Sequence, residues 1–163
     1  MNATTTEAKP TVVNVGMGQI EIVESDGVAR SILGSCIGLV LYHQARRVAA
    51  VGHIVLPECG GRPGPAGKFA DTAIPAMIES LAGMGAGKPG LIAKLAGGAN
   101  MFGSSGPIQI GESNYAAVSG ILAEIGIPLV AEHIGGSQGR RITVETSSGE
   151  VAIEMAGQER VVI

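Results

Sequence analysis

Residues 29–58 read Ala29-Arg30-Ser31-Ile32-Leu33-Gly34-Ser35-Cys36-Ile37-Gly38-Leu39-Val40-Leu41-Tyr42-His43-Gln44-Ala45-Arg46-Arg47-Val48-Ala49-Ala50-Val51-Gly52-His53-Ile54-Val55-Leu56-Pro57-Glu58. Two apolar runs, 37–42 and 48–56, flank a polar turn, and neither run alternates with polar residues. Strands of that kind are covered on both faces, so the rest of the chain must supply layers on either side of this hairpin. If Gln44 and Ala45 form a two-residue loop, paired positions sum to 89 and Cys36 lies directly opposite His53. Their Cβ atoms would then be roughly 5 Å apart, within reach of a thiol to imidazole hydrogen bond. Tight primed turns favour Gly, which is missing from this loop. A slip of one residue would separate the two side chains onto opposite faces, whereas a slip of two would leave them diagonal on one face.

Upstream, residues 1–9 are polar and Thr-rich and read as a disordered leader ahead of a single domain over 10–163. Residues 11–23 alternate as a strand with a Gly-marked bend, and 28–33 form a short strand leading into Gly34-Ser35-Cys36. Downstream, Pro57 ends the second apolar run, and 58–67 is a loop with four glycines and two prolines, suited to overhang a site. Helical spacing predicts helices over 69–81, with Asp71 or Thr72 as N-cap, and over 114–125, with Gly126 at the C′ position. Strands are predicted over 91–96 and 127–133, glycine-rich loops over 100–111 and 135–139, and a hairpin of 141–146 with 150–155. Strands first, then strands alternating with two helices, then a hairpin indicate an α+β fold with mixed, largely antiparallel strands packed on two main helices.

The 163 residues are enough to bury a core without disulfide staples. The chain is 45% hydrophobic but has only two Phe and two Tyr, so aliphatic side chains and Met must fill that core. A net charge of −3 argues against a nucleic-acid binder, which needs clustered Lys and Arg. No apolar run reaches the length of a membrane span. Two cysteines without a secretory signal point to a reducing, cytoplasmic setting with both held as thiols.

A buried Cys is more often a small hydrophobe than a nucleophile, and a strand His more often structural than catalytic. Cys36 departs from that pattern in following Gly34-Ser35, whose backbone amides can turn toward a developing oxyanion, and in having His53 as a nearby base. Cys59 reads as a loop residue, and His43 and His133 as surface residues. A zinc site from Cys36, His53 and Cys59 lacks short ligand spacing and a fourth ligand. Gly85-Ala86-Gly87-Lys88-Pro89 has Pro where a phosphate loop needs Ser or Thr. No metal, nucleotide or other cofactor is called for.

Leu33-Gly34-Ser35-Cys36 followed by Gly52-His53-Ile54-Val55-Leu56-Pro57 resembles the CheD family of chemoreceptor glutamine deamidases. The resemblance continues through Lys68-Phe69-Ala70-Asp71, Lys94-Leu95-Ala96-Gly97-Gly98-Ala99-Asn100-Met101-Phe102, Ile110-Gly111-Glu112-Ser113-Asn114 and Gly135-Gly136-Ser137-Gln138-Gly139-Arg140-Arg141. It implies a cysteine hydrolase whose fold is similar to the catalytic domain of the deamidating cytotoxic necrotising toxins. The implied substrates are glutamine side chains on the cytoplasmic bundle of methyl-accepting chemotaxis receptors, with a CheC-type phosphatase as a further partner. Cys36 and His53 match the family's nucleophile and base. Ser31 stands where a Thr orients the His, keeping the hydroxyl but not the methyl. The same pairing of thiol and base also suits a cysteine protease or general amidase, and loss of the Thr suits a non-enzymatic regulator that binds receptor or phosphatase.

Overall fold

The apolar hairpin forms, but its loop holds four residues and not two. In the computed structural model, which describes residues 11–101 and 109–163, β4 (Ile37–His43) pairs antiparallel with β5 (Val48–Ile54), placing Gly38 opposite His53 and His43 opposite Val48. Residues 44–47 connect them, and Arg47 takes the left-handed turn position with φ of 50°. A longer loop removes the need for Gly in a primed turn. The register is displaced by two from the tight-loop expectation, so each side chain keeps its face and Cys36 becomes a diagonal neighbour of His53.

The strands form two five-stranded sheets. β1 (Val12–Asn14), β3 (Val28–Leu33), β8 (Arg140–Glu145), β9 (Val151–Glu154) and β10 (Val161–Val162) lie side by side in that order. The second sheet runs β2 (Ile20–Val23), β5, β4, β6 (Leu91–Gly97), β7 (Leu129–Ile134). The β1–β3 and β6–β7 pairs are parallel and the others antiparallel, so the fold is α+β with mixed, largely antiparallel sheets. The segment 11–23 is not one bent strand, because its halves belong to different sheets. Between them the Val15 amide donates to the Arg30 carbonyl on β3 (2.8 Å), and the Gly18 amide, at φ of 77°, donates to the His53 carbonyl on β5 (2.8 Å).

Two helices cover the outer face of the second sheet. α1 (Ala70–Ala82) buries Ala73, Ile74, Met77 and Leu81, while α2 (Ile110–Ile125) buries Val118 and Leu122 against Leu39, Leu41, Ala50 and Leu95. The N-cap of α1 is Phe69, with no side-chain cap. Asp71 is occupied elsewhere, accepting the Cys59 amide at 2.9 Å, and Thr72 donates to Ala66 at 2.6 Å. α2 starts one turn earlier than its apolar spacing suggests and ends at Gly126, whose φ of 81° supplies the left-handed cap. The central strands are therefore buried twice: Ile37, Leu39 and Leu41 face the helices, and Val40, Tyr42, Ala49 and Val51 face Ala29, Leu33, Ile142 and Val144 of the other sheet. Residues 102–108, within the second glycine-rich loop, and the leader lie outside the described residues.

Candidate active site

Gly38 lies opposite His53, where the two sheets pack too closely to admit a side chain. A Cβ there would lie 2.8 Å from Leu33 Cδ1 and 3.0 Å from Ile142 Cδ1. His53 is 4% exposed and sits on the inter-sheet face of β5. Its Nδ1 lies 2.9 Å from Ser31 Oγ on β3 and 3.2 Å from the Val15 carbonyl oxygen. Ser31, also buried, donates its hydroxyl proton to that same carbonyl at 2.7 Å. A carbonyl can only accept, and the hydroxyl has one proton, already committed. Nδ1 must therefore carry the imidazole proton and donate it to Ser31 Oγ and Val15 O. Nε2 is left unprotonated, the tautomer a base requires. Burial lowers the His53 pKa below the usual histidine range, an effect opposed by the bond to Val15, so the ring is neutral at neutral pH.

Cys36 ends the bend between β3 and β4, 8% exposed and packed into the inter-sheet core with Leu33 and Ala96. Burial pushes its thiol pKa up, and the thiol and imidazole are not hydrogen-bonded to each other. Burial thus favours the neutral form of both groups. The bend is held by three consecutive carbonyls. Ala99 N–H donates to Gly34 O at 3.0 Å, Asn114 Nδ2 to Ser35 O at 3.2 Å, and Gly98 N–H to Cys36 O at 2.9 Å. Gly97, at φ of 106°, approaches so closely that a Cβ would run into the Cys36 carbonyl oxygen. The Gly97-Gly98 doublet thus supports the cysteine bend.

A cleft of about 560 Å³ reaches His53 and Ser31 from the surface, lined also by Val15, Met17, Arg30 and Ile32. Met17 and Ile32 are 72% and 75% exposed at its rim. Cys36 does not line it. Cys59 is half-buried in the loop before α1 and donates its thiol to the Arg62 carbonyl at 3.3 Å. His133 is held by Arg140, which donates to its Nδ1 at 2.8 Å, and His43 Nδ1 accepts the Arg46 amide at 3.2 Å. Two contributors were not named from sequence. The Val15 carbonyl is a main-chain atom with no sequence signature. Asn114 had one, since it shares the i, i+4, i+8 stripe of Val118 and Leu122, where a lone polar residue must find buried partners.

The CheD chemotactic sensory transduction family matches residues 55–155, a span that begins two residues after His53 and lies wholly downstream of Cys36. Relatives align across them. A probable chemoreceptor glutamine deamidase CheD of Caldanaerobacter subterraneus subsp. tengcongensis is 40% identical over 90% of this chain and 94% of its own. The chemoreceptor glutamine deamidase CheD of Thermotoga maritima is 37% identical over 88% of this chain and 91% of its own. A probable chemoreceptor glutamine deamidase CheD of Moorella thermoacetica is 39% identical over 95% and 97%. On the family match and these full-length alignments, the chain belongs to the CheD family.

Proposed function

We propose that this protein hydrolyses glutamine side chains of chemoreceptors to glutamate, with Cys36 as nucleophile, His53 as base and Ser31 as the residue that orients His53. The observation that carries the reading is the bonding of His53 Nδ1, which fixes Nε2 as the basic nitrogen on the face it shares with Cys36. In the first half-reaction the thiol proton passes to Nε2 while sulfur attacks the carboxamide carbon, and the carbonyl electrons move onto oxygen. The oxyanion is met by backbone amides of the 34–36 bend. Collapse expels the amine with the proton from Nε2, giving ammonia and a thioester. Water, deprotonated by the same nitrogen, then attacks the thioester, and the products are glutamate and the free thiol. Each turnover adds one negative charge to the receptor segment.

No metal or cofactor enters this sequence of steps. A cytoplasmic setting, where thiols stay reduced, suits a mechanism that needs Cys36 unoxidised. The test is mass spectrometry of a receptor cytoplasmic fragment after incubation. A gain of about one dalton at defined glutamines is expected, lost in Cys36→Ala and His53→Ala. No gain with the wild-type protein would reject the reading.

The raised thiol pKa and the missing thiol–imidazole hydrogen bond favour one alternative, a regulator that binds receptor or a CheC-type phosphatase without turnover. Under that alternative the three substitutions Cys36→Ala, His53→Ala and Ser31→Ala leave binding and signalling output unchanged.

A further inference from the structure

Asn114 is completely buried on α2, and its side-chain amide bridges the cysteine bend and the segment just after β5. Nδ2 donates to Val55 O at 2.9 Å, two residues beyond His53, and to Ser35 O at 3.2 Å, one residue before Cys36. Both partners are carbonyls, so the NH2 end of the amide must face them and both its protons are used. Oδ1 is left buried without a hydrogen-bond partner among the described residues. An apolar side chain of the same size would avoid that penalty, so the two bonds from Nδ2 are what the residue supplies.

Those bonds have a direction. The Ser35–Cys36 peptide is trans, and its C=O and N–H point to opposite edges of one plane. Holding Ser35 O toward α2 turns the Cys36 amide away from it. The flanking planes are fixed in the same manner, by Ala99 N–H on Gly34 O and Gly98 N–H on Cys36 O. Among the described residues, the Ser35 and Cys36 amides donate to no acceptor. Successive main-chain amides left open in a turn can meet an anion. The outer two carbonyls are held by main chain. Among the described residues, the central one is held by Asn114 alone.

We infer that Asn114 is a positioning residue that acts through the Ser35–Cys36 peptide, keeping the Cys36 amide turned toward the oxyanion of the tetrahedral intermediate. This rests on Cys36 being the nucleophile. It makes a distinction that a purely structural role does not. Acyl transfer builds an oxyanion, whereas alkylation of the same sulfur by iodoacetamide is a direct displacement and builds none.

The experiment compares Asn114→Ala and the near-isosteric Asn114→Asp with the parent, all in a Cys59→Ser background so that Cys36 is the one thiol of the chain. Acylation by p-nitrophenyl acetate and deamidation of a receptor fragment are expected to fall by roughly 10²–10³, while Cys36 alkylation at the same pH stays within about threefold. Equal losses in acylation and alkylation, or an acylation loss under about threefold in a folded variant, overturn the assignment. If both variants fail to fold, the wild-type protein decides. A peptide aldehyde that adds to the Cys36 sulfur, its oxygen taking the thiol proton, should move the Cys36 amide proton downfield in an ¹⁵N–¹H spectrum. An unmoved Cys36 amide rejects the inference. A parent protein that is acylated by the ester but deamidates no receptor fragment would reject the substrate reading and leave this one standing.

Discussion

At the scale of single residues, His53 is held twice, by Ser31 Oγ and by the Val15 carbonyl. The second hold is main chain and survives any substitution at 31. Ser31→Ala should therefore keep the tautomer and lose orientation only, lowering kcat/KM about tenfold and not the roughly 10⁴-fold of a reversed tautomer. Ser31→Thr, with the same hydroxyl and a stiffer rotamer, should restore or exceed the parent rate if the buried site accepts its methyl. Steady-state deamidation of a receptor fragment measures both. The neutral ring also sets a pH dependence. Burial depresses the folded pKa of His53, so the acid limb of kcat/KM should fall below the ordinary histidine value of about 6.5. For stability the sign is the same as for a depressed acid: the unfolded chain binds the proton more readily. The contribution of His53 is present above about 6.5 and is lost as pH falls from there through its lower folded pKa, which urea titrations of wild type and His53→Gln across that window would reveal.

At the scale of elements, the loop after β6 and the N-terminal part of α2 hold the cysteine bend from the helix side of the sheet. Gly97 is the tightest point, with φ of 106° and the Cys36 carbonyl directly against its Cα. Gly97→Ala adds strain from the positive φ, about 1–3 kcal/mol, before any clash is counted. It should lower the urea midpoint by that amount or more and reduce deamidation further than the stability loss explains, because the displaced atom belongs to Cys36. Gly98→Ala, at φ of 65° with a Cβ 3.1 Å from Ile37 Cδ1, should be milder. The order of the two variants in activity is the check.

At the scale of the whole molecule, a doubly covered hairpin separates two cores, one against the helices and one between the sheets. Met77→Ala, in the first core, should cost about 2–5 kcal/mol in chemical denaturation while leaving the His53–Ser31 geometry in place. The rim of the cleft should behave in the opposite way. Ile32 is 75% exposed and Met17 72%, so Ile32→Ser and Met17→Ser should leave stability within about 0.5 kcal/mol yet raise KM for a receptor fragment. An unchanged KM in both would place the receptor segment elsewhere on the surface.

The hairpin, both helices and the α+β class were legible because each rests on a local property: apolar runs covered on two sides, helical spacing, and glycines where helices end. Cys36 and His53 were legible as a pair on one face, since a shift of two residues preserves the face. Their diagonal placement was not, because loop length depended on Arg47 accepting a left-handed conformation where a tight primed turn would have needed Gly. The split of 11–23 into strands of different sheets was equally hidden, being decided by bonds from Val15 to Arg30 and from Gly18 to His53 across the fold. The sequence by itself determined which residues have the chemistry, a thiol, an imidazole and a hydroxyl at 36, 53 and 31. Only the tertiary structure decided which nitrogen of His53 holds the proton and which way the Cys36 amide faces. Both depend on main-chain carbonyls, of Val15 and Ser35, and every residue carries a carbonyl, so only the fold selects which ones matter.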